Sequence, residues 1–174
     1  IYPTTKTIIS KNNSYTYDKL IIATGSKPKS LFNLSAIKNA CTFRSADDSY
    51  KIRDGIKDKN VILVGVGPIG LELLDTLSKM DTAHSIHILS RGDHLYSKDL
   101  DISSVKLMDT IFERDPKVKV SFRDEIIDTT IENNIITTAA TKKRTIDNPF
   151  IVFGVGIEPN IDFAKASIET NKGV

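Results

Sequence analysis

The spacing of apolar and polar positions divides the chain into short β-type runs and longer helical ones. Lys6 to Ser10 and Ser14 to Tyr17 are β-type runs around Lys11-Asn12-Asn13, which predicts a hairpin. Lys19 to Thr24 (KLIIAT) is an apolar run bounded by Gly25-Ser26-Lys27-Pro28, the pattern of a buried strand followed by a turn. Residues 29 to 41 carry no clear period and read as irregular. Ser45 to Ile56 has helical spacing, with Ser45 positioned as an N-cap ahead of Asp47 and Asp48. Asn60 to Gly65 (NVILVG) is a second buried strand. Pro68 to Met80 reads as a helix with Ile69, Leu73, Leu77 and Met80 on one face and Pro68 near its first turn, where proline is tolerated. Ser85 to Leu89 predicts a third strand, Asp99 to Arg114 a helix broken by Asp115-Pro116, and Val118 to Ser121 a short strand. Glu125 to Ile131 and Ile135 to Ala140, with a turn at Glu132-Asn133-Asn134, predict a second hairpin. Phe150 to Gly154 (FIVFG) is a final buried strand, closed by Gly156 and Pro159.

From Asn60 the order is strand, helix, strand, helix, strand, hairpin, strand. Such alternation makes a parallel sheet with right-handed crossovers. The expectation is an α/β fold, Rossmann-like, with a parallel sheet plus a β-meander. Within it, Gly65-Val66-Gly67-Pro68-Ile69-Gly70 matches G-x-G-x-x-G immediately after a predicted strand and at the opening of a predicted helix, the context the pattern requires. Gly65 would permit the tight turn, Gly67 would let backbone approach a pyrophosphate, and Gly70 would let helix and strand pack closely. The free N–H groups and dipole of the first helical turn would then face the phosphates of NADH or NADPH.

The second half of this fingerprint is missing. An Asp or Glu is expected about 20 residues on, to bind the adenine-ribose hydroxyls. Position 90 is Ser90, followed by Arg91. Without a carboxylate nothing repels a 2′-phosphate, and Arg91 could pair with one, which tilts the reading modestly toward NADPH; the alternative is that Arg91 is simply a solvated loop residue. His94 reads as a surface histidine that could add positive charge.

Composition changes the picture mainly by exclusion. Hydrophobic residues make up 40% and charged residues 26%, ordinary values for a globular chain. Net charge is +2, from 24 basic and 22 acidic residues, so there is no basic excess for nucleic acid. Lys142-Lys143-Arg144 reads as a solvated turn rather than a binding patch. The single cysteine, Cys41, cannot form an internal disulfide and no metal-ligand spacing exists, so a reducing, cytoplasmic compartment is expected. No run of about 18 apolar residues occurs, so no membrane span is expected. The start, Ile1-Tyr2-Pro3, lacks an initiator methionine and a signal-peptide pattern, and the chain reads as a piece of something longer.

Three motifs in one order resemble the FAD-dependent pyridine nucleotide-disulfide oxidoreductases. Tyr17 to Pro28 (YDKLIIATGSKP) is similar to that family's "YDxLIxATGS.P" segment. Gly65 to Glu72 (GVGPIGLE) is similar to its NAD-domain fingerprint, and Gly154 to Asn160 (GVGIEPN) resembles its "GxGxxPN" return to the flavin domain. Phe43 to Asp48 (FRSADD) also resembles its "LRTxxD" helix entry. By resemblance the subgroup is that of NADH oxidases, coenzyme A-disulfide reductases, nitrite-reductase flavoproteins and rubredoxin or ferredoxin reductases.

The resemblance implies that residues 45–148 form the NAD(P)-binding domain, and that 1–44 and 149–174 are segments of a FAD-binding domain. It implies that Gly65, Gly67, Pro68, Ile69 and Gly70 cradle the pyrophosphate, with Ser90 and Arg91 at the adenosine end. Glu72 would lie near the nicotinamide, or simply favour the helix dipole as a first-turn glutamate. Gly154, Gly156 and Ile157 would line the nicotinamide pocket, Ala23, Thr24 and Gly25 would lie against FAD, and Arg44 would reach the FAD phosphate or adenine region. The family's FAD pyrophosphate fingerprint and its "GD" segment are not in this sequence, so the piece alone is expected to hold FAD poorly and to be inactive.

The implied activity is hydride transfer from NAD(P)H to FAD and onward to an unidentified acceptor, a small molecule or a small redox protein. A homo-oligomer is possible for the full-length protein. No side chain here must act as acid, base or nucleophile, and His84, His87 and His94 have no Ser or Cys partner in the pattern, so no hydrolase triad is expected. The competing reading is a non-catalytic or degenerate module that senses NADPH. A flavin-free dehydrogenase has no reason to carry the Ala23-Thr24-Gly25 segment.

Overall fold

The computed structural model describes residues 1–31, 33–80, 82–95 and 100–170. The chain divides into two compact units: Pro28–Gly156, and Ile1–Lys27 together with the segment from Ile157 onward.

In the smaller unit, β1 (Thr7–Ser10) and β2 (Asn13–Thr16) form the expected antiparallel hairpin, in register from Thr7 opposite Thr16 to Ser10 opposite Asn13. β3 (Ser26–Pro28) pairs with the strand Ile157–Pro159. The predicted strand at Lys19 to Thr24 does not form: Leu20 to Gly25 has no regular structure and Ile21 is 87% exposed. An apolar run specifies that burial is favourable, but a strand also needs ladder partners for its N–H and C=O groups. Among the described residues of this unit, the named strands pair as β1 with β2 and β3 with 157–159.

The larger unit opens with a 3-10 turn (Leu34–Ala36), inside the stretch expected to be irregular, and β4 (Ala40–Thr42), which begins within that stretch and ends one residue past it. Three residues are too few to show a period, and β4 exists because β11 supplies its partners. α1 (Ala46–Gly55) begins at Ser45, whose hydroxyl accepts from Asp48 N–H while the Asp48 carboxylate accepts from Ser45 N–H, a reciprocal capping box. β5 (Asn60–Val64), α2 (Pro68–Lys79), β6 (Ser85–Ser90), α3 (Ile102–Glu113) and β7 (Val118–Phe122) follow in the predicted alternation. Asp101 caps α3, accepting from Ser103 and Ser104 N–H; the expected start at Asp99 lies outside the described residues. β8 (Ile126–Glu132), β9 (Ile135–Thr141) and β10 (Thr145–Asp147) form an antiparallel meander, one strand more than the predicted hairpin. β11 (Pro149–Phe153) returns to the sheet, and β12 is the Ile157–Pro159 strand of the smaller unit.

The five-stranded sheet has the order β4-β11-β5-β6-β7 and is parallel throughout. Strand side chains alternate between faces, so each strand feeds two cores. Val61, Leu63, Ile86, Ile88, Phe150 and Val152 meet Ile52 of α1, Ile56 at its C-cap, and Leu73, Leu74 and Leu77 of α2. Ile62, Val64, Leu89, Ile151 and Phe153 meet Ile136, Ala139 and Ile146 of the meander. Three layers result: helices, parallel sheet, meander. The compact unit Pro28–Gly156 includes β4 and β11, which are strands of this sheet.

On α2 the buried positions are Gly70, Leu73, Leu74 and Leu77, while Ile69 is 47% exposed. The face is therefore rotated from the predicted one. A side chain at the second helical position projects past the end of the strand it follows, so nothing in the sheet covers it.

Candidate functional site

The turn from β5 into α2 is built on close backbone contact. Gly65 has φ +80, and a Cβ there would sit 2.9 Å from Gly154 O and 3.2 Å from Val155 Cγ1. Reciprocally, a Cβ on Gly154 would sit 2.7 Å from Gly65 O, and one on Gly70 would sit 2.8 Å from the same oxygen. These three glycines let the ends of two adjacent strands and the first turn of α2 meet without side chains. The approach is held by Gly65 N–H donating to Leu89 O at 3.2 Å and Gly154 N–H to Val64 O at 2.8 Å.

Gly67 differs. Its φ is −78, and a Cβ there would meet nothing within 4 Å. It stands at the N-cap of α2 without a side-chain cap, and Pro68 at the first helical position has no N–H to leave unsatisfied. The Ile69 and Gly70 N–H groups remain at a positive helix end. A cradle open where a Cβ would lie, with uncapped N–H groups, fits a polyanion such as a pyrophosphate.

Ser90 ends β6, hydrogen-bonded on the β5 side to a strand that ends at this turn. Its hydroxyl donates to His94 O at 2.9 Å and accepts from Gly92 N–H at 3.3 Å, so it shapes its own turn. Arg91 is exposed and has no ion pair among the described residues. His94 is half-buried rather than a free surface side chain: its Nδ1 lies 2.8 Å from Asp109 Oδ2, and Asp109 Oδ1 accepts from Leu95 N–H at 3.1 Å.

Glu72 stands at the fifth helical position, in the second turn, so the first-turn dipole reading does not hold. It is exposed and borders an apolar groove of about 560 Å³ between α1 and α2, lined by Phe43, Tyr50, Ile52, Leu73 and Leu77 among others. Arg44 is exposed, and its backbone N–H donates to Asp48 Oδ2 at 2.9 Å. The "LRTxxD"-like segment thus has a local structural cause, since Ser45 and Asp48 are the two halves of the capping box.

In the smaller unit two of the motifs meet. Thr24 Oγ1 donates to Asn160 O at 2.7 Å, Asn160 Nδ2 donates to Thr24 O at 3.0 Å, and Asn160 N–H donates to Gly25 O at 2.9 Å. Ala23, Thr24 and Gly25 are exposed, and Gly25 has φ +68 with open space where a Cβ would lie. Gly156 has φ +96 and equally open space, and Ile157 is exposed. Asn160 joins the segments around it, and the Pro-Asn ending of the third motif was its only signal in the sequence.

One histidine does have a serine partner, contrary to expectation. Ser85 and His87 are two apart on β6 and share a face, with Ser85 Oγ 2.9 Å from His87 Nε2. Ser85 Oγ donates to Asn60 Oδ1 at 2.6 Å, so Nε2–H is left to donate to Ser85, and Nδ1 is buried without a partner. Both residues are buried, so the pair is part of the core rather than a nucleophile and its base. Burial, with smaller repulsion from Lys119, Arg144 and His84, pushes the His87 pKa down from 6.5 to about 4. Its neutral form is the folded form. The resulting stability is complete above pH 6.5 and is lost as pH falls from there toward 4. The loss should be about 2 kcal/mol once solvent screening is allowed for. Urea midpoints at pH 7 and pH 4.5 should drop further for the native chain than for His87→Leu, and equal drops would refute this assignment. Cys41, buried in β4, has its thiol pushed up to about 12, foremost by burial, and is unreactive as placed. Among the described residues, no group of three His, Cys, Asp or Glu side chains could hold a metal ion, and no helix is long and apolar enough to cross a membrane.

Comparison with known proteins matches this arrangement across the chain. The model of the pyridine nucleotide-disulphide oxidoreductase family matches residues 1–174. Terpredoxin reductase of a Pseudomonas species is 26% identical over 171 residues, covering 96% of this chain and 41% of its own length. The covalent putidaredoxin reductase–putidaredoxin complex shares the fold at a TM-score of 0.87 and 21% identity, over 100% of this chain and 43% of that one. An engineered water-forming NADPH oxidase bound to NADPH has a TM-score of 0.82 at 20% identity, over 98% of this chain and 39% of that one. The chain therefore spans about two fifths of the length of the relatives it matches. With a parallel Rossmann-like sheet, a glycine-built strand-helix turn and a family model covering every residue, the chain belongs to the pyridine nucleotide-disulphide oxidoreductase family.

Proposed function

We propose that this chain is the NAD(P)H-binding portion of a flavin-dependent oxidoreductase, and that Gly65, Gly67, Pro68, Ile69 and Gly70 hold the pyrophosphate. One observation carries the reading: Gly67 opens α2 with free space at its missing Cβ, while the glycines around it are filled by backbone. When bound, the dinucleotide and FAD supply the hydride transfer; the chain's residues bind, orient and exclude water. Gly154, Gly156, Ile157 and Glu72 are assigned to the nicotinamide side. Ala23, Thr24, Gly25 and Arg44 are assigned to FAD, where the open space at Gly25 fits a close backbone approach. The NAD(P) domain is centred on 45–148, and the flanking segments 1–44 and 149–174 belong in part to the FAD domain. Electrons pass to a small molecule or a small redox protein. The terpredoxin reductase relative favours the latter. A cytoplasmic setting fits the lone cysteine, kept as a buried thiol.

The preferred dinucleotide is NADPH. Ser90 brings no carboxylate to the end of β6, and the exposed Arg91 follows it. The engineered NADPH oxidase carries in its name the replacement of an aspartate by alanine and of the next residue by arginine, the same change of chemistry at adjacent positions. Calorimetric titration at low ionic strength should give NADPH binding several-fold tighter than NADH, with the difference lost in Arg91→Ala. Equal affinities in the native chain would remove the role of Arg91 and leave the cradle. A flavin absorbance band in the full-length protein separates the oxidoreductase from a flavin-free NADPH sensor.

A further inference from the structure

The loop after β7 is fastened to the turn that carries Arg91. Asp124 N–H donates to Ser90 O and Arg123 N–H to Gly92 O, both at 3.0 Å. Asp124 is itself buried, with its carboxylate accepting from Ser121 Oγ at 2.7 Å and Thr141 Oγ1 at 3.1 Å, which ties the end of β9 to the same place. Glu125 is the next residue. Its backbone C=O accepts from Lys142 N–H at 3.2 Å, and its Oε1 lies 2.7 Å from Lys142 Nζ. Lys142, with a lesser contribution from Arg91, holds the Glu125 carboxyl below the usual carboxylate range. The other cation of this loop, Arg123, is paired with Asp93. A carboxylate thus stands in the loop fastened to the Arg91 turn, supplied from after β7 instead of the end of β6, and it is paired with a lysine.

We propose that Glu125 and Lys142 set the NADPH-to-NADH ratio at this site, Lys142 masking a carboxylate that would otherwise repel a 2′-phosphate at Arg91. This inference rests on the NADPH reading above. Uncovered, Glu125 would offset Arg91 in the way the missing acidic residue of the fingerprint does in NAD-selective sites. Covered, it leaves Arg91 and Lys142 as a net positive end for the dianion. The solvated-turn reading of Lys142-Lys143-Arg144 is correct for exposure and incomplete for Lys142.

The test is titration of the full 174-residue chain with NADPH and with NADH at low salt. Lys142→Met should lower the NADPH-to-NADH affinity ratio roughly three-fold, Glu125→Gln should raise it by a similar factor, and Lys142→Arg should retain it. The double variant Glu125→Gln with Lys142→Met should return close to the native ratio, because the lysine acts through the carboxylate. The changes fall on two side chains that are 54% (Lys142) and 37% (Glu125) exposed, so folding is retained. If Lys142→Met leaves the ratio unchanged while Arg91→Ala abolishes the preference, the Glu125–Lys142 inference is overturned and the Arg91 reading stands. If Arg91→Ala also leaves the ratio unchanged, both are overturned.

Discussion

Gly65→Ala will destabilise the fold and Gly67→Ala will not, yet both will weaken dinucleotide binding. At Gly65 the added methyl must be carried at φ +80, which costs about 1–2 kcal/mol for a non-glycine residue. It must also sit 2.9 Å from Gly154 O, a backbone atom held by its own strand, which adds about 1–3 kcal/mol of overpacking. A total of about 3 kcal/mol corresponds to a drop of about 10 °C in Tm for a chain of this size. At Gly67 the backbone is ordinary and the space open, so Tm should stay within about 1 °C. If the proposed cradle holds the pyrophosphate, that methyl enters the space the phosphates need, and NADPH affinity should fall at least about ten-fold. Thermal melts paired with calorimetry on the two variants read both effects. Unchanged affinity in Gly67→Ala would sink the cradle assignment, and an unchanged Tm in Gly65→Ala would mean the two strand ends are less tightly apposed than described.

Asn39→Ala is expected to be the most damaging substitution away from the site. Asn39 lies just before β4, is 8% exposed, and bridges the sheet to the meander. Its Nδ2 donates to Ile136 O at 2.8 Å and to Pro149 O at 2.7 Å, and its Oδ1 accepts from Ile136 N–H at 2.8 Å. Truncation leaves three backbone groups without this partner in a closed interior, each costing about 1–3 kcal/mol unless water enters. The loss should total about 3–5 kcal/mol, read as a lowered urea midpoint with unchanged slope. Asn39→Asp should not rescue it, because a carboxylate oxygen would then face two carbonyls. A loss below about 1 kcal/mol for the alanine variant would mean that the bridge is not needed to hold the meander on the sheet.

Asn39 also shows where reading from sequence stops. It occurs in a stretch with no period, and nothing in its neighbours reveals that residues 97 and 110 positions away will present carbonyls to it. Lys19 to Thr24 shows the opposite failure. Its composition is that of a buried strand, but a strand is completed by neighbours, and its residues stand largely exposed without a ladder. The short strands β4 and β10 were missed because three residues carry no measurable period and pair only through longer partners. At the site, Gly65 was legible because its positive φ is a need of its own backbone and Gly70 because it meets Gly65 O across the turn, whereas Gly67, with ordinary φ and open space, was legible only from the G-x-G-x-x-G pattern. The Ser85–His87 pair and the Glu125–Lys142 pair were not legible, although an i, i+2 pair on one strand face was available as a clue for the first.

What the sequence alone determined is therefore local and periodic. The alternation of β5, α2, β6, α3 and β7, the capping of α1 by Ser45 and Asp48, the positive φ at Gly65 and the close approach of Gly70 to Gly65 O all arise within short stretches of chain. Backbone geometry, side-chain spacing and capping chemistry act over that range. Tertiary structure decided the rest. It inserted β11 between β4 and β5, turned Ile69 outward and Leu74 inward, met Gly65 with Gly154, paired Glu125 with Lys142, and fastened the loop after β7 to the turn that carries Arg91. The reason is that hydrogen-bond ladders, close backbone approach and ion pairing depend on which distant segments become neighbours. Apolar periodicity says only that a face will be buried, not against what.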